Sequence, residues 1–249
     1  MRFLPSFKYR FRDCMFSMGV VILVMIVLTA LCYLGIVTFG SITRTDNSGE
    51  VIMETTTMNF SMPVAIFMFV LSIVSIREDM RLGIQNGAGR RTVFLANAAC
   101  MFVTSLILNI AFFVVTAVWN QFDTGVYIVD FFGALSNNRP FFGDLAISTV
   151  VLLALSVFLS ALGTFTSLMY WRLNKLGKWI VSIGMGAAVI LFIDVIIRYK
   201  VVADLLGRLM GWVFLTPWNL VLSFVILAAA FYVFSALLVR RSSITAATA

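Results

Sequence analysis

Residues 75–94 read SIREDMRLGIQNGAGRRTVF. Six charges, Arg77, Glu78, Asp79, Arg81, Arg90 and Arg91, are set between two uncharged runs, Thr55–Ile76 and Thr92–Phe122. Each run exceeds the roughly 20 residues that carry an α-helix across about 30 Å of hydrocarbon. The stretch therefore reads as a short polar connection between two membrane helices. Asn86, Gly87 and Gly89 favour the left-handed backbone that ends a helix, which predicts a short helix from Arg77 to Gln85 followed by a turn. Along it Ile76, Met80 and Ile84 recur every four residues, and Arg77, Glu78, Asp79 and Arg81 supply mixed charge elsewhere. The expected shape is a compact amphipathic knob beneath the lipid.

The rest of the chain has the same character. Of 249 residues 61% are hydrophobic and 12% charged, with a mean hydropathy of +1.04. Soluble domains sit nearer half apolar and a quarter charged. Further uncharged runs cover Cys14–Thr43, Leu145–Trp171 and Leu209–Val239, and a shorter one, Trp179–Ile193, becomes a span if Asp194 is tolerated near its end. The expected fold is an all-α integral membrane protein with one domain, 1–249, and six spans at about 16–39, 57–76, 93–118, 145–170, 178–197 and 218–239.

Placing the N-terminus inside puts 13 of the 18 cations on that side: Arg2, Lys8, Arg10, Arg12, Arg77, Arg81, Arg90, Arg91, Arg172, Lys175, Lys178, Arg240 and Arg241. The positive-inside rule then sets both termini in the cytoplasm of a cell membrane. The net charge of +7 lies in short flanks beside spans, where it meets lipid headgroups, so a nucleic-acid partner is not needed to explain it. The first apolar run is too long for a signal peptide and lacks a small-x-small cleavage site. Cys14, Cys32 and Cys100 fall in or beside spans and read as small apolar residues. No histidine occurs, which removes the commonest general base and metal ligand. No metal site or catalytic residue is expected.

Two flanking elements are amphipathic. In MRFLPSFKYRFRDCMF, Phe7, Phe11 and Met15 recur at four-residue intervals with Lys8, Arg10 and Arg12 beside them, which predicts an interfacial helix over 5–15 anchored in lipid. In KVVADLLGRLMGWVF, Val202, Leu205, Leu206, Leu209, Met210 and Val213 form an apolar stripe. Pro217 then breaks the chain before the last span, so this second helix is expected to lie along, or dip into, the outer leaflet. Within the spans, Asn97 and Asn109 are isolated amides. Asp194 is either one half of an ion pair with Arg198, four residues on, or part of a substrate path. The small residues Ser156, Ser160 and Thr164, and Gly184 with Ala188, suit close helix approach.

No phosphate-binding glycine motif is present: Gly177-Lys178 is followed by Trp179, and Gly87-Ala88-Gly89 follows a membrane helix instead of a strand. Taken in order, the basic helix FKYRFRDCMF, six spans, the charged knob REDMRLGIQNGAGRRTVF and the outer helix VVADLLGRLMGWVFLTPWN resemble the permease subunit of an ATP-binding cassette transporter of the type-2, exporter-like family. The resemblance implies that Arg77, Glu78, Asp79, Met80, Arg81, Leu82, Ile84 and Gln85 form a coupling helix docked on a separate ATPase. It also implies a second permease, identical or homologous, two cytoplasmic ATPase subunits that hold ATP and Mg, and a bacterial source. The chain itself would be a non-enzymatic subunit with no cofactor of its own, moving an amphipathic peptide, lipid-linked molecule or drug. The importer loop Glu-Ala-Ala-x-x-x-Gly is absent. A secondary transporter would need intramembrane carboxylates or broken helices, and a non-transporting scaffold or immunity protein would lack an ATPase partner.

Overall fold

The computed structural model describes residues 3–34, 36, 41–45, 51–85, 87, 89–119, 126–128 and 142–241. Among the described residues seven helices run in chain order: α1 (Phe3–Tyr33), α2 (Ser61–Gln85), α3 (Arg90–Trp119), α4 (Phe142–Arg172), α5 (Lys175–Arg198), α6 (Lys200–Leu215) and α7 (Pro217–Arg241). Judged on the described residues, α1, α2, α3, α4 and α7 are long and apolar enough to cross a membrane. The expected sixth span, 178–197, falls on α5, whose side chains are described only in part.

A small sheet, absent from the all-helical expectation, lies at the end of the bundle opposite the knob. β1 (Ser41–Thr45) pairs antiparallel with β2 (Val51–Met58), which pairs in parallel with β3 (Val126–Ile128). The β-branched run Thr55-Thr56-Thr57 suits a strand better than a helix. As a result the second span starts at Ser61, not at residue 57. Asn59 caps it, its Oδ1 accepting the Ser61 backbone N–H at 2.9 Å.

At the centre, α4 packs against α2 on one side and α7 on the other, and α1 lies along α3. Small and hydroxylated residues let these helices approach. A Cβ on Gly163 would stand 2.6 Å from the Phe69 carbonyl oxygen, so α2 and α4 touch backbone to backbone there. The Ser72 and Ser160 hydroxyls lie 2.9 Å apart, and Ser167 donates to the Ile73 carbonyl at 2.8 Å. Thr164 and Ser156 donate to carbonyls one turn back on α4, which satisfies hydroxyls that lipid or core could not. The Ser156–Ser160–Thr164 series is thus a packing seam. Across α4 and α7, Phe158 stacks on Phe224 at 5.7 Å and Phe165 meets Phe231 at 5.3 Å.

The last part of the chain is attached more loosely. α5 packs mainly on α6, and α6 on α7. Leu176, Trp179, Ile180 and Ile183 on α5, and Leu205, Leu209, Met210 and Trp212 on α6, are all exposed. Of the α6 stripe, Leu205, Leu209 and Met210 are thus exposed and Val213 is half-buried. Gly184 has open space around it.

Candidate functional site

Two sequence expectations change at the knob end of the bundle. No separate interfacial helix occupies 5–15: α1 is continuous for 31 residues. Nothing between Arg12 and Gly19 breaks helical backbone, and burial of one long face holds the two halves in line. That face is not the Phe7–Phe11–Met15 stripe. Arg10, Cys14, Met18, Met25, Thr29 and Cys32 are buried, whereas Met15 is half exposed and Lys8 and Arg12 are exposed. Phe7 and Phe11 stack on each other at 5.9 Å at the border of the core.

Likewise Arg77–Gln85 is no independent helix but the last turns of α2. Its end follows the expected chemistry. Gly87 takes φ +71° and its N–H bonds the Ile84 carbonyl at 3.0 Å, as in a glycine-terminated cap. Asn86 lies outside the described residues. Gly83 lies so close to α3 that a Cβ there would meet the Val93 side chain.

The face Ile76–Met80 turns inward. Both residues are buried against Val93, Phe94, Leu168 and Val239, so they belong to the chain's own core, drawn from α3, α4 and α7. Ile84 is half-buried. Arg77, Glu78, Arg81, Leu82 and Gln85 are exposed. Helical geometry places these two sets on different faces, and only the second is open to a partner.

Asp79 sits between them and is bound to α1. Arg10 Nη1 donates to Asp79 Oδ1 at 3.2 Å, and Arg10 Nε lies 2.9 Å from Oδ2, an ion-pair contact without hydrogen-bond alignment. Arg10 Nη1 also donates to Asp13 at 3.2 Å. The Arg10 and Asp79 side chains are 6% and 10% exposed, whereas that of Asp13 is 67% exposed. The Arg10–Asp79 pair is thus a buried charge contact between residues 69 apart in sequence. Sequence reading gave Arg10 to lipid and Asp79 to the ATPase; the structure joins them. The signal that could have found the pair is their spacing: Arg10 precedes Cys14 by one turn, and Asp79 follows Ser75 by one turn, both on buried faces.

Beside the pair is a cavity of about 400 Å³ whose lining includes Tyr9, Arg10, Asp79, Gly83, Ala96 and Asn97. Asn97 is buried; Ser75 donates to its Oδ1 at 3.4 Å, and its Nδ2 has no partner. Asn109 is buried higher in the bundle. Its Nδ2 donates to the Ser105 carbonyl at 2.7 Å and reaches Ser156 at 3.4 Å. The two amides thus face different neighbours and form no common site. Asp194 stands far along the chain in an exposed pair, with Arg198 Nε 2.8 Å from its carboxylate. This matches the ion-pair alternative.

One cluster escaped the sequence reading: Cys14 Sγ and Cys100 Sγ, on α1 and α3, are 3.7 Å apart and buried. Among the described residues no three or more Cys, Asp or Glu side chains converge as metal ligands. Comparison with family models, curated proteins and solved structures finds no match to this chain.

Proposed function

We propose that this chain is the membrane-spanning permease subunit of a type-2 ATP-binding cassette exporter. It would be driven by ATP and Mg on two separate cytoplasmic ATPase subunits. The observation that carries the reading is the division of the knob into two faces. Arg77, Glu78, Arg81 and Leu82 are exposed. Ile76, Met80 and Asp79, on the same rigid turns, are tied to α1, α3, α4 and α7. A load on the exposed face is carried into the bundle because close-packed interiors transmit displacement instead of absorbing it. The Arg10–Asp79 contact extends that load to α1. Lipid and a second permease cover the exposed flanks of α5 and α6. The substrate is amphipathic, passing between the two permeases in a cell membrane with both termini inside.

The test is purification of the chain from its native membrane, with ATP hydrolysis measured in the eluate. Wild type is expected to bring an ATP-hydrolysing partner with it. The double variant Glu78→Lys/Arg81→Glu, and separately Leu82→Asp, should lose that activity while remaining folded and monodisperse. A wild-type chain that transports without any ATP-hydrolysing companion, or variants that keep the companion undiminished, would refute the reading.

A further inference from the structure

Among the described residues of α1, every buried apolar one carries sulfur: Cys14, Met18, Met25 and Cys32. Only at Cys14 does a second thiol come within reach, that of Cys100 at 3.7 Å. Cys14 and Cys100 are at most 1% exposed. The spacing is informative. Two sulfurs 3.7 Å apart, each about 2.3 Å from one shared ion, would subtend about 107° at it, a bent arrangement that leaves one side of the ion open to a third donor. The pair therefore presents a two-sulfur bite for a metal ion.

A second feature points to the same spot. Thr104 is fully buried on α3, one turn beyond Cys100, and stands beside both thiols. Its hydroxyl lies within reach of both thiols but makes no aligned hydrogen bond. A neutral oxygen left without an aligned partner in a dry core is costly, and a cation between the thiols would supply one.

We infer that Cys14, Cys100 and Thr104 form a binding site for a soft monovalent metal ion, Cu(I) or Ag(I), buried between α1 and α3. Sulfur donors select such ions. Zinc needs four ligands in a closed site, and two thiols with one hydroxyl do not supply them. Binding forms two metal–sulfur bonds and releases both thiol protons, which leaves a bis-thiolate complex with one net negative charge. The Arg10 guanidinium, one turn from Cys14 and shared with Asp79 and Asp13, is the cation beside it. Entry is available as well. Arg10 and Ala96, each four residues before one of the cysteines, line the cavity at the knob end, so the thiols lie one turn beyond its wall. Nothing in this inference depends on the ATPase reading.

The experiment uses the full-length chain, reduced and anaerobic in detergent, titrated with Cu(I) held by a chromophoric chelator. One Cu(I) per chain is expected. Cys14→Ser and Cys100→Ser should each weaken binding by more than about 100-fold and Thr104→Val by about 10-fold, because a soft ion gains more from a thiolate than from a neutral hydroxyl. Cys32→Ser should bind as wild type. A second measurement needs no variant: one equivalent of Ag(I) should protect Cys14 and Cys100, but not Cys32, from alkylation read by mass spectrometry. Absence of Cu(I) uptake by wild type, uptake retained by the Cys14→Ser/Cys100→Ser double variant, or Ag(I) protection that spares Cys14 and Cys100, would each overturn the site.

Discussion

Arg10 and Asp79 illustrate how far a residue's role depends on what it meets. A buried ion pair contributes little net stability when compared with an apolar pair, but removing one partner strands the other. Arg10→Leu should therefore cost about 3–5 kcal/mol, read as a lowered thermal unfolding midpoint in detergent. Arg10→Leu/Asp79→Leu should recover most of that loss, and a double variant no more stable than the single would contradict the account. Met80 and Leu82 make a second contrast, two residues apart. Met80 is 1% exposed and Leu82 41%. Met80→Asp buries a charge without a partner and should abolish the folded, monodisperse peak on size exclusion, whereas Leu82→Asp should leave that peak intact. Of this site, the polar outer face was legible in the sequence. The identity of the inward face was not, because four-residue periodicity marks an apolar stripe without saying whether the chain's own core or another protein covers it.

Among the elements, α4 is decided by packing. Its apolar run predicts a span, and its small residues predict a close neighbour, but only the bundle identifies that neighbour as α2. Gly163 marks the closest approach, with backbone on the other side that cannot move aside as a side chain can. Gly163→Ala should cost about 1–3 kcal/mol through forced separation of α2 and α4, measurable as a reduced unfolding midpoint. An unchanged midpoint would mean the two helices sit further apart. Gly184→Ala on α5, with open space around it, should have no such effect in the isolated chain. The α1 reading failed for a related reason. Phe7, Phe11 and Met15 do share a face, but Arg10, Cys14 and Met18 share another, and burial of the second accompanies one continuous helix.

At the scale of the whole molecule, the charge distribution predicts which end faces the cell interior. A reporter inserted after Gln85, or at Arg241, should be active only on the cytoplasmic side. A reporter in the β1–β2 hairpin should be active only outside. A reversed result at Gln85 would place the knob beyond reach of any cytoplasmic ATPase. The same experiment at α6 decides whether that helix and its exposed Leu209 and Trp212 belong to the outer leaflet.

Hydrophobicity and charge are additive along a chain, so the sequence by itself determined that the chain forms several helices apolar enough to cross a membrane, where α3, α4 and α7 lie to within a few residues, and which connection is polar. Contacts between distant residues are not additive. Only the tertiary structure decided that Arg10 closes on Asp79, that Met80 faces inward, and that two cysteines 86 residues apart come within 3.7 Å. Each follows from which helix faces which, and that is set by the shape of small and large side chains across an interface, a quantity that local periodicity does not contain.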